Sequence, residues 1–267
     1  MRSLTELADL SGRRALITGG AGHVGLAVGE VLTEMGAAIA ILDVDPDACR
    51  ERSLILNKNQ ANFIISVPCN LLDEQETRSA VQRVVRELGG LEIIVHCAAY
   101  VGTTQDEGWV APFEKQKVDA WDRALRVNLT APFILVQEAQ EALKKTGKGS
   151  VIMISSIYGM VGPDMCLYDG TMMGNPAGYG ASKGGLLQLS RYLATILAPN
   201  IRVNSISPGG IWRDQPESFR ERYEARTPLR RMGTEEDLKG AIAYLASDLS
   251  AYVTGQNLVV DGGWTAW

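Results

Sequence analysis

Short apolar runs alternate along this chain with longer segments in which apolar residues recur at helical spacing. The first run covers residues 15–18, and the segment after it places Leu26, Val31, Leu32 and Met35 on one face. The short run is typical of a buried strand and the periodic segment is typical of a helix. Further strands are predicted over residues 38–42, 63–67, 91–97, 150–155, 201–206 and 258–260. Further helices are predicted over residues 74–88, 119–145 and 234–247 and in the segment that includes residue 183.

This alternation predicts an α/β fold, in which a parallel sheet is covered by helices on both faces. The opening order of strand, helix, strand, helix and strand is half of a doubly wound, Rossmann-like fold that binds dinucleotides. No internal repeat, low-complexity segment or linker interrupts the pattern. We therefore predict that residues 1–267 form a single domain.

Two stretches depart from the alternation, at about residues 162–178 and 209–232, and each directly follows a predicted strand. In open α/β sheets, ligands bind beyond the carboxyl ends of the strands. Loops that are enlarged at that edge are therefore expected to shape a binding site.

Glycines 19, 20, 22 and 25 lie between the first predicted strand and the first long predicted helix. Glycine lets the backbone approach a pyrophosphate closely, and the helix start offers free N–H groups and the positive end of its dipole. A glycine cluster also forms ordinary tight turns, but here the required strand and helix flank it. Asp43 ends the second predicted strand, where a carboxylate binds an adenosine ribose and repels a 2′-phosphate. This favours NAD over NADP.

Tyr179 and Lys183 stand four residues apart near the start of a predicted helix, so their side chains share one face. The pKa of an isolated phenol is about 10, and a neighbouring ammonium lowers it, which suits a base that works near neutral pH. Alone, such a pair more often marks a half-buried ring beside a solvated lysine. Ser156, which follows the predicted strand 150–155, and the glycine cluster favour the catalytic interpretation.

The composition restricts the classes of function. A net charge of -5 without a lysine-rich run argues against a nucleic-acid-binding surface. The cysteines, at 49, 69, 97 and 166, fit no metal-ligand spacing, so we expect buried thiols in a reducing cytosol and no metal site. Residues 1–11 carry acidic side chains and no long apolar core, which predicts neither a signal peptide nor a membrane anchor. We therefore place the protein in the cytoplasm.

In combination, these motifs resemble those of the short-chain dehydrogenase/reductase family over essentially the whole chain. The family's Thr-Gly-rich cofactor turn matches residues 18–25, with His23 where the middle glycine usually stands. The family's Asn-Asn-Ala-Gly motif appears here as His-Cys-Ala-Ala at residues 96–99. We interpret His96 as a strand-end residue in a structural hydrogen bond, because it lies outside the expected catalytic set.

The resemblance implies an enzyme that transfers hydride between a secondary alcohol or ketone and a nicotinamide cofactor. It also implies a catalytic tetrad, formed by Asn128, Ser156, Tyr179 and Lys183. Tyr179 is expected to exchange a proton with the substrate oxygen, which Ser156 hydrogen-bonds. Lys183 is expected to lower the phenol pKa and to contact the nicotinamide ribose, and Asn128 is expected to order water. Cofactor contacts are expected at Gly19, Gly22, His23, Val24, Asp43, Asn70, Leu71, Ala98, Ala99, Tyr179, Lys183, Pro208, Gly209 and Ile211.

The insertion at residues 163–176 and the chain ending 262–267 resemble oxidoreductases of bacterial flagellin-modification and nonulosonic-acid pathways. That likeness implies a sugar or sugar-phosphate substrate beneath the insertion. Tyr168 is a candidate for binding sugar hydroxyls, and Arg213, next to Trp212, for binding an anionic group. The other arginines of the second enlarged loop are interpreted as a solvated helix face paired with glutamates.

Two other interpretations stay open. In the first, the protein is a family member that acts on a steroid, acyl or simple polyol alcohol, and a hydrophobic pocket under the insertion would favour this. In the second, it is a non-catalytic NAD-binding regulator. The complete tetrad argues against the regulator. The resemblance implies a small-molecule substrate and a homotetramer. Trp264 and Trp267 are expected to be covered in that assembly, because exposed aromatic side chains at a chain end are costly.

Overall fold

The strands form one parallel sheet. In the computed structural model, which describes residues 1–57, 63–101 and 106–267, the strand order is β3-β2-β1-β4-β5-β6-β7. The strands are β1 (Arg14–Thr18), β2 (Ala38–Asp43), β3 (Ile64–Pro68), β4 (Ile93–His96), β5 (Gly149–Ile154), β6 (Ile201–Pro208) and β7 (Asn257–Val260). The order runs outward from β1 in one direction and from β4 in the other, so the prediction of a doubly wound, Rossmann-like sheet is confirmed.

Helices connect the strands. They are α1 (Leu4–Ala8), α2 (His23–Glu34), α3 (Pro46–Leu56), α4 (Glu74–Leu88), α5 (Val118–Leu125), α6 (Ala131–Lys144), α7 (Ala177–Leu197), α8 (Glu217–Arg226) and α9 (Glu236–Ala246). Within the three described ranges, no helix is both long enough and apolar enough to cross a membrane.

Adjacent residues of β1 serve two separate cores. Leu16 packs in a cluster with side chains of α4, α6 and α7, whereas Ile17 packs in a cluster with side chains of α2 and α9. The two residues join different clusters because neighbouring side chains of a strand point to opposite faces of the sheet. Both are fully buried. Helices therefore cover both faces, as the sequence predicts. Strands from residue 14 to residue 260 share this one sheet, and the single domain stays a prediction.

The helix predicted over residues 119–145 is interrupted. A π-helical turn, Arg126–Thr130, separates α5 from α6. Pro132 lies in the first turn of α6 and has no amide hydrogen to donate to the carbonyl of Asn128, so regular α-helical bonding cannot run through this segment. Asn128 is fully buried in the π turn. Such turns are frequent at functional sites.

Both enlarged loops contain short helices. The first carries a 3₁₀ turn, Met165–Tyr168, and the second carries α8. The side chains of Phe219 and Tyr223 on α8 are buried against Leu167 of the 3₁₀ turn. The two loops thus pack against each other.

The two C-terminal tryptophans have different environments. Trp264 is 2% exposed, and its ring stacks on that of Tyr223 with 6.0 Å between the ring centroids. The expectation that it needs a neighbouring subunit for cover is therefore wrong, because aromatic side chains of the same chain cover it. Trp267 is 73% exposed, and its cover by a neighbouring subunit stays a prediction.

Candidate active site

A cavity of about 860 Å³ opens beyond the carboxyl ends of β1, β2, β4, β5 and β6. Every residue that the sequence assigns to the cofactor lines it: Gly19, Gly22, His23, Val24, Asp43, Asn70, Leu71, Ala98, Ala99, Tyr179, Lys183, Pro208, Gly209 and Ile211. Ser156 lines the same cavity. The fold thus brings the predicted cofactor residues and most of the predicted tetrad into one space.

The glycine turn after β1 is built for close backbone approach. Gly19 has φ +63°, and a Cβ added there would lie 2.6 Å from the backbone nitrogen of Ala98. A Cβ on Gly25 would lie 2.1 Å from the carbonyl oxygen of Gly19. Helix α2 begins at His23, and Gly22 at its N-cap supplies no side-chain hydrogen bond. The free N–H groups and the positive end of the helix dipole therefore face the cavity, and this arrangement fits a pyrophosphate.

Asp43 lies where the adenosine ribose of a dinucleotide is expected. Its Oδ2 accepts a hydrogen bond from the backbone nitrogen of Ala21 at 3.1 Å, and its Oδ1 accepts one from Val44 at 2.8 Å. These bonds fix the carboxylate at the end of β2. Arg52 lies nearby, with its Nε donating to the carbonyl of Ala21 at 3.2 Å, but it does not line the cavity.

Tyr179 and Lys183 lie on the first turns of α7, and Ser156 follows β5. The Nζ of Lys183 donates to the carbonyl of Ile154 at 2.8 Å and lies 5.8 Å from the centroid of the Tyr179 ring. The turn after Ser156 packs tightly on α7, since a Cβ added to Gly159 would lie 2.8 Å from backbone atoms of Lys183. The three groups therefore meet at the junction of β5 and α7.

Burial controls the titration of the two ionisable groups. It raises the pKa of the Tyr179 phenol, and the Ser156 hydroxyl opposes that rise by hydrogen bonding. Burial also lowers the pKa of Lys183 to about 8. The charge of Arg213 also lowers the pKa of Tyr179, whereas the Lys183 ammonium, whose Nζ donates to the Ile154 carbonyl, is not among the groups that shift it.

Asn128 does not line the cavity, and its amide hydrogen-bonds to other groups of the protein. Its Oδ1 accepts from the backbone nitrogen of Tyr100 at 2.6 Å, and its Nδ2 donates to the Tyr100 carbonyl at 3.1 Å. The Nδ2 also donates to the Oγ of Ser182 at 2.9 Å, and that hydroxyl donates to the carbonyl of Tyr179 at 2.8 Å. The side chain thus connects the segment after β4 to α7 and positions Tyr179, and its ordering of water stays a prediction.

Comparisons with known proteins agree with this geometry. A family model described as enoyl-(acyl carrier protein) reductase matches residues 20–265. A short-chain type dehydrogenase/reductase from Mycobacterium marinum, whose structure is solved, superposes with a TM-score of 0.86 at 30% identity over 100% of both chains. The chain belongs to the short-chain dehydrogenase/reductase family.

Relatives of this short-chain dehydrogenase/reductase differ in their stated activities. Nodulation protein G of a Rhizobium species is 33% identical over 96% of this chain and 98% of its own length. The cis-4-hydroxycyclohexanecarboxylate dehydrogenase of Sinomonas cyclohexanicum is 32% identical over 95% of this chain and 97% of its own. The sorbose reductase of Schizosaccharomyces pombe is 30% identical over 98% of this chain and 99% of its own.

Two further solved structures differ in their cofactor. A short-chain dehydrogenase from Leptospira borgpetersenii with bound NAD⁺ has a TM-score of 0.82 at 31% identity over 99% of this chain and 96% of its own. The NADPH-dependent 3-quinuclidinone reductase of Rhodotorula rubra has a TM-score of 0.85 at 26% identity over 100% of this chain and 96% of its own.

His96 replaces the first residue of the family's Asn-Asn-Ala-Gly motif. It is fully buried, and its Nδ1 lies 2.8 Å from the Oγ1 of Thr18, which agrees with the structural hydrogen bond expected from the sequence. Burial lowers the pKa of His96 to about 3, and the charge of Lys183 contributes to this shift. The imidazole is therefore neutral at physiological pH and connects β4 to β1.

The three predicted substrate residues have different placements. Tyr168 and Arg213 line the cavity, but the Nε of Arg213 is paired with the Oε1 of Glu235 at 2.9 Å. Trp212 does not line the cavity, and its ring lies 5.2 Å from the guanidinium of Arg220. Further lining residues that sequence reasoning missed are Tyr158, Met173, Asn175, Gln215, Phe219 and Tyr223. Nearness to Ser156 could have indicated Tyr158, and its place in the insertion could have indicated Asn175.

Proposed function

We propose that this protein is an NAD-dependent oxidoreductase that interconverts a secondary alcohol and a ketone on a sugar or sugar-phosphate substrate. The proposal is carried by one observation: Tyr179, Ser156 and Lys183 line the same cavity as the glycine turn and Asp43. A nicotinamide cofactor held along β1 and β2 would reach these groups within a single space. Membership of an oxidoreductase family supports this assignment.

The chain's own residues supply proton transfer and orientation. A bound nicotinamide cofactor would supply or accept the hydride. The Tyr179 hydroxyl exchanges a proton with the reacting oxygen of the substrate, and the Ser156 hydroxyl hydrogen-bonds that oxygen. Lys183, whose pKa burial lowers to about 8, gains and loses its proton near physiological pH and can restore the proton of the phenol. Asn128 keeps α7 in place through Ser182.

The test of this assignment is Tyr179→Phe. Loss of the hydroxyl should lower kcat by roughly 100-fold or more, because proton transfer by a positioned side chain contributes about 10²–10⁴ in rate. NAD binding, measured by calorimetry, should change little. Turnover by the variant at the rate of the parent protein, with the same melting temperature, would refute the mechanism.

The preference for NAD rests on Asp43. Its fixed carboxylate would repel a 2′-phosphate, and no lysine or arginine lines the described cavity wall beside it. In Asp43→Ala the repulsion is lost and Arg52 gains room to approach a phosphate. The ratio of kcat/KM with NADP to kcat/KM with NAD should therefore rise at least about tenfold, which corresponds to about 1.4 kcal/mol. An unchanged ratio would remove the basis for NAD preference.

A sugar-like substrate is favoured by the polar side chains that line the cavity together with Tyr179 and by the likeness to a sorbose reductase. The second candidate is a less polar alcohol, which Met173 and Phe219 in the cavity wall favour, as does the likeness to a cyclohexanecarboxylate-type dehydrogenase. The resemblance to flagellin-modification and nonulosonic-acid enzymes stays a prediction. Turnover with matched polyols and simple alcohols separates the two candidates.

We also propose that the protein works as a homotetramer in the cytoplasm, as the family resemblance implies. The exposed rings of Tyr192 and Trp267 are consistent with contacts between subunits. A monomeric mass in sedimentation at micromolar concentration would contradict the tetramer.

A further inference from the structure

Three polar groups form a second cluster in the cavity, apart from the reaction centre. They are the hydroxyls of Tyr158 and Tyr168 and the amide of Asn175, which we call the phenol–amide cluster. The two phenol oxygens lie 3.1 Å apart. All three side chains line the cavity together with Tyr179. Tyr168 and Asn175 belong to the insertion, so the cluster is a feature of this chain's enlarged loop.

The cluster has more hydrogen-bond donors than its own acceptors use. The two hydroxyls share one hydrogen bond, and the amide of Asn175 lies close enough to both phenols to lower their pKa values. Within the described ranges, however, the buried Nδ2 of Asn175 makes no hydrogen bond of normal geometry. A buried donor without an acceptor costs about 1–3 kcal/mol, so such groups are rarely left unpaired. These donors suit a ligand that presents oxygen atoms.

The cluster carries no charge. Burial raises the pKa of Tyr158 and of Tyr168, so both phenols stay protonated at neutral pH. Three arginines of the second enlarged loop have protein partners, and the charge of Arg213 acts on Tyr179 and is not among the causes that shift the pKa values of the two phenols of the cluster. Arg213 pairs with Glu235 at 2.9 Å, Arg226 pairs with Asp164 at 2.5 Å, and Arg222 donates to the carbonyl of Asp169 at 2.6 Å.

A neutral donor set selects among oxygen ligands. A phosphate or carboxylate that enters a half-buried site loses hydration and needs a paired cation to offset that loss. Hydroxyl groups need only hydrogen bonds, and each hydroxyl both donates and accepts. The cluster therefore matches adjacent hydroxyls better than it matches an anion.

The phenols are held in place by packing that does not involve their hydroxyls. The ring of Tyr168 lies against Phe219 with 5.4 Å between centroids, and the ring of Tyr158 lies edge-on to Trp264 at 6.2 Å. Asp164 caps the 3₁₀ turn that carries Tyr168 by accepting from the backbone nitrogen of Cys166 at 3.1 Å. Preorganised donors of this kind favour specificity, because little ordering is required on binding.

We propose that the phenol–amide cluster binds neighbouring neutral hydroxyl groups of the substrate and makes this site selective for an unphosphorylated sugar or polyol. Asn175 and Tyr168 are then the residues that determine specificity, and Tyr179 acts on a carbinol further along the same substrate. This inference rests on the oxidoreductase function proposed above. It narrows that proposal from sugars and sugar phosphates to the neutral class.

The test compares Asn175→Leu and Tyr168→Phe with the parent protein on sorbitol, mannitol, myo-inositol, sorbitol 6-phosphate and 2-hexanol, with NAD. The leucine removes the amide at similar size, and the phenylalanine keeps the ring against Phe219.

The parent protein should prefer a neutral polyol. Each variant should lower kcat/KM for that polyol by about tenfold, mainly through KM, because a buried hydrogen bond is lost. Turnover of 2-hexanol should stay within about twofold, because it presents no second hydroxyl. Tyr252→Phe, which removes a fully exposed phenol outside the cavity, serves as the control and should change neither.

The outcomes separate the two proposals. If turnover depends on Tyr179 but is confined to 2-hexanol or to sorbitol 6-phosphate, the inference about the cluster is wrong and the oxidoreductase function stands. The same conclusion follows if the variants lower kcat/KM equally for the polyol and for 2-hexanol. If no compound gives turnover that depends on Tyr179, the proposed function fails and this inference fails with it.

Discussion

The cofactor half and the substrate half of the cavity are held by different kinds of contact. At the cofactor half the backbone itself forms the wall, where Gly19 brings the β1 turn against Ala98 and the start of α2 offers its amides. At the substrate half, side chains from two loops hold each other. Arg226 pairs with Asp164, and Arg222 donates to carbonyls of the insertion. Substitutions in the cofactor half should therefore weaken binding strongly, and substitutions in the substrate half should weaken it only moderately.

The largest effect is expected at Gly25 in the cofactor half. A Cβ in Gly25→Ala would lie 2.1 Å from the carbonyl of Gly19 and 2.6 Å from the Cα of Gly20, and neither backbone atom can turn away as a side chain can. The glycine turn must shift, and displacement of about 1 Å at a binding site can cost about 100-fold. We expect the Kd for NAD, measured by calorimetry, to rise by about that factor.

Gly240 provides the matched control for that substitution. It lies in α9, where an added Cβ meets nothing within 4 Å. Gly240→Ala should leave NAD binding unchanged and add up to about 1 kcal/mol to the free energy of unfolding, because alanine is the better helix former. Equal NAD affinity in Gly25→Ala and Gly240→Ala would show that the turn tolerates a side chain. It would contradict the expected difference in sensitivity between the two halves of the cavity.

A second effect, of intermediate size, is expected in the stability of the protein at acid pH and depends on His96 at the end of β4. The pKa of buried His96 is about 3 in the folded protein, against an unperturbed value of 6.5. The unfolded chain therefore binds a proton more readily, and stability is lost as the pH falls from 6.5 towards 3. Between pH 7 and pH 5 this histidine should contribute about 2 kcal/mol to the loss.

His96→Asn tests this contribution, because an amide can still hydrogen-bond Thr18 but does not titrate. Urea unfolding at pH 7 and pH 5 should show that the variant loses about 2 kcal/mol less than the parent protein. His23, the second of the two histidines, has an exposed side chain, and His23→Asn should lose as much as the parent. A loss in His96→Asn equal to that of the parent would show that other groups govern acid unfolding.

The same division explains what the sequence could predict. Glycine spacing, strand ends and the Tyr179–Lys183 interval are local patterns, so the sheet, the cofactor residues that line the cavity and the reaction centre followed from them. Asn175 and Tyr158 meet Tyr168 only because the two enlarged loops pack together, and such contacts between distant segments leave no local pattern. The burial of Trp264 likewise depends on Tyr223, which lies about forty residues earlier in the chain.

The π turn around Asn128 shows an intermediate case. The apolar pattern of residues 119–145 indicates one long helix, and only Pro132 signals that the bonding must change. The amide of Asn128 hydrogen-bonds Tyr100 and Ser182, and these partners can be known only once α7 and the segment after β4 have been placed. The periodicity of the sequence therefore cannot predict the hydrogen-bond partners of a buried side chain.

The smallest effect is expected where Arg222 holds the insertion. Its Nη1 donates to the carbonyls of Cys166, Leu167 and Asp169 at 3.3, 3.4 and 2.6 Å. Because Arg222 is exposed, Arg222→Gln should cost only about 1 kcal/mol, which raises KM for the polyol substrate roughly fivefold. The Kd for NAD should not change.

The control for Arg222→Gln is Arg191→Gln, another exposed arginine, which lies on α7. Its Nη1 donates to the Oε1 of Gln188 at 3.2 Å. It should alter neither KM nor Kd, because it lies on neither half of the cavity. If Arg222→Gln weakened NAD binding as much as it raised KM, the two halves would have to be mechanically joined through the turn at Gly209 and Gly210, where Tyr223 of α8 accepts from the Gly210 amide at 2.5 Å. That coupling would make the substrate loops part of the cofactor site.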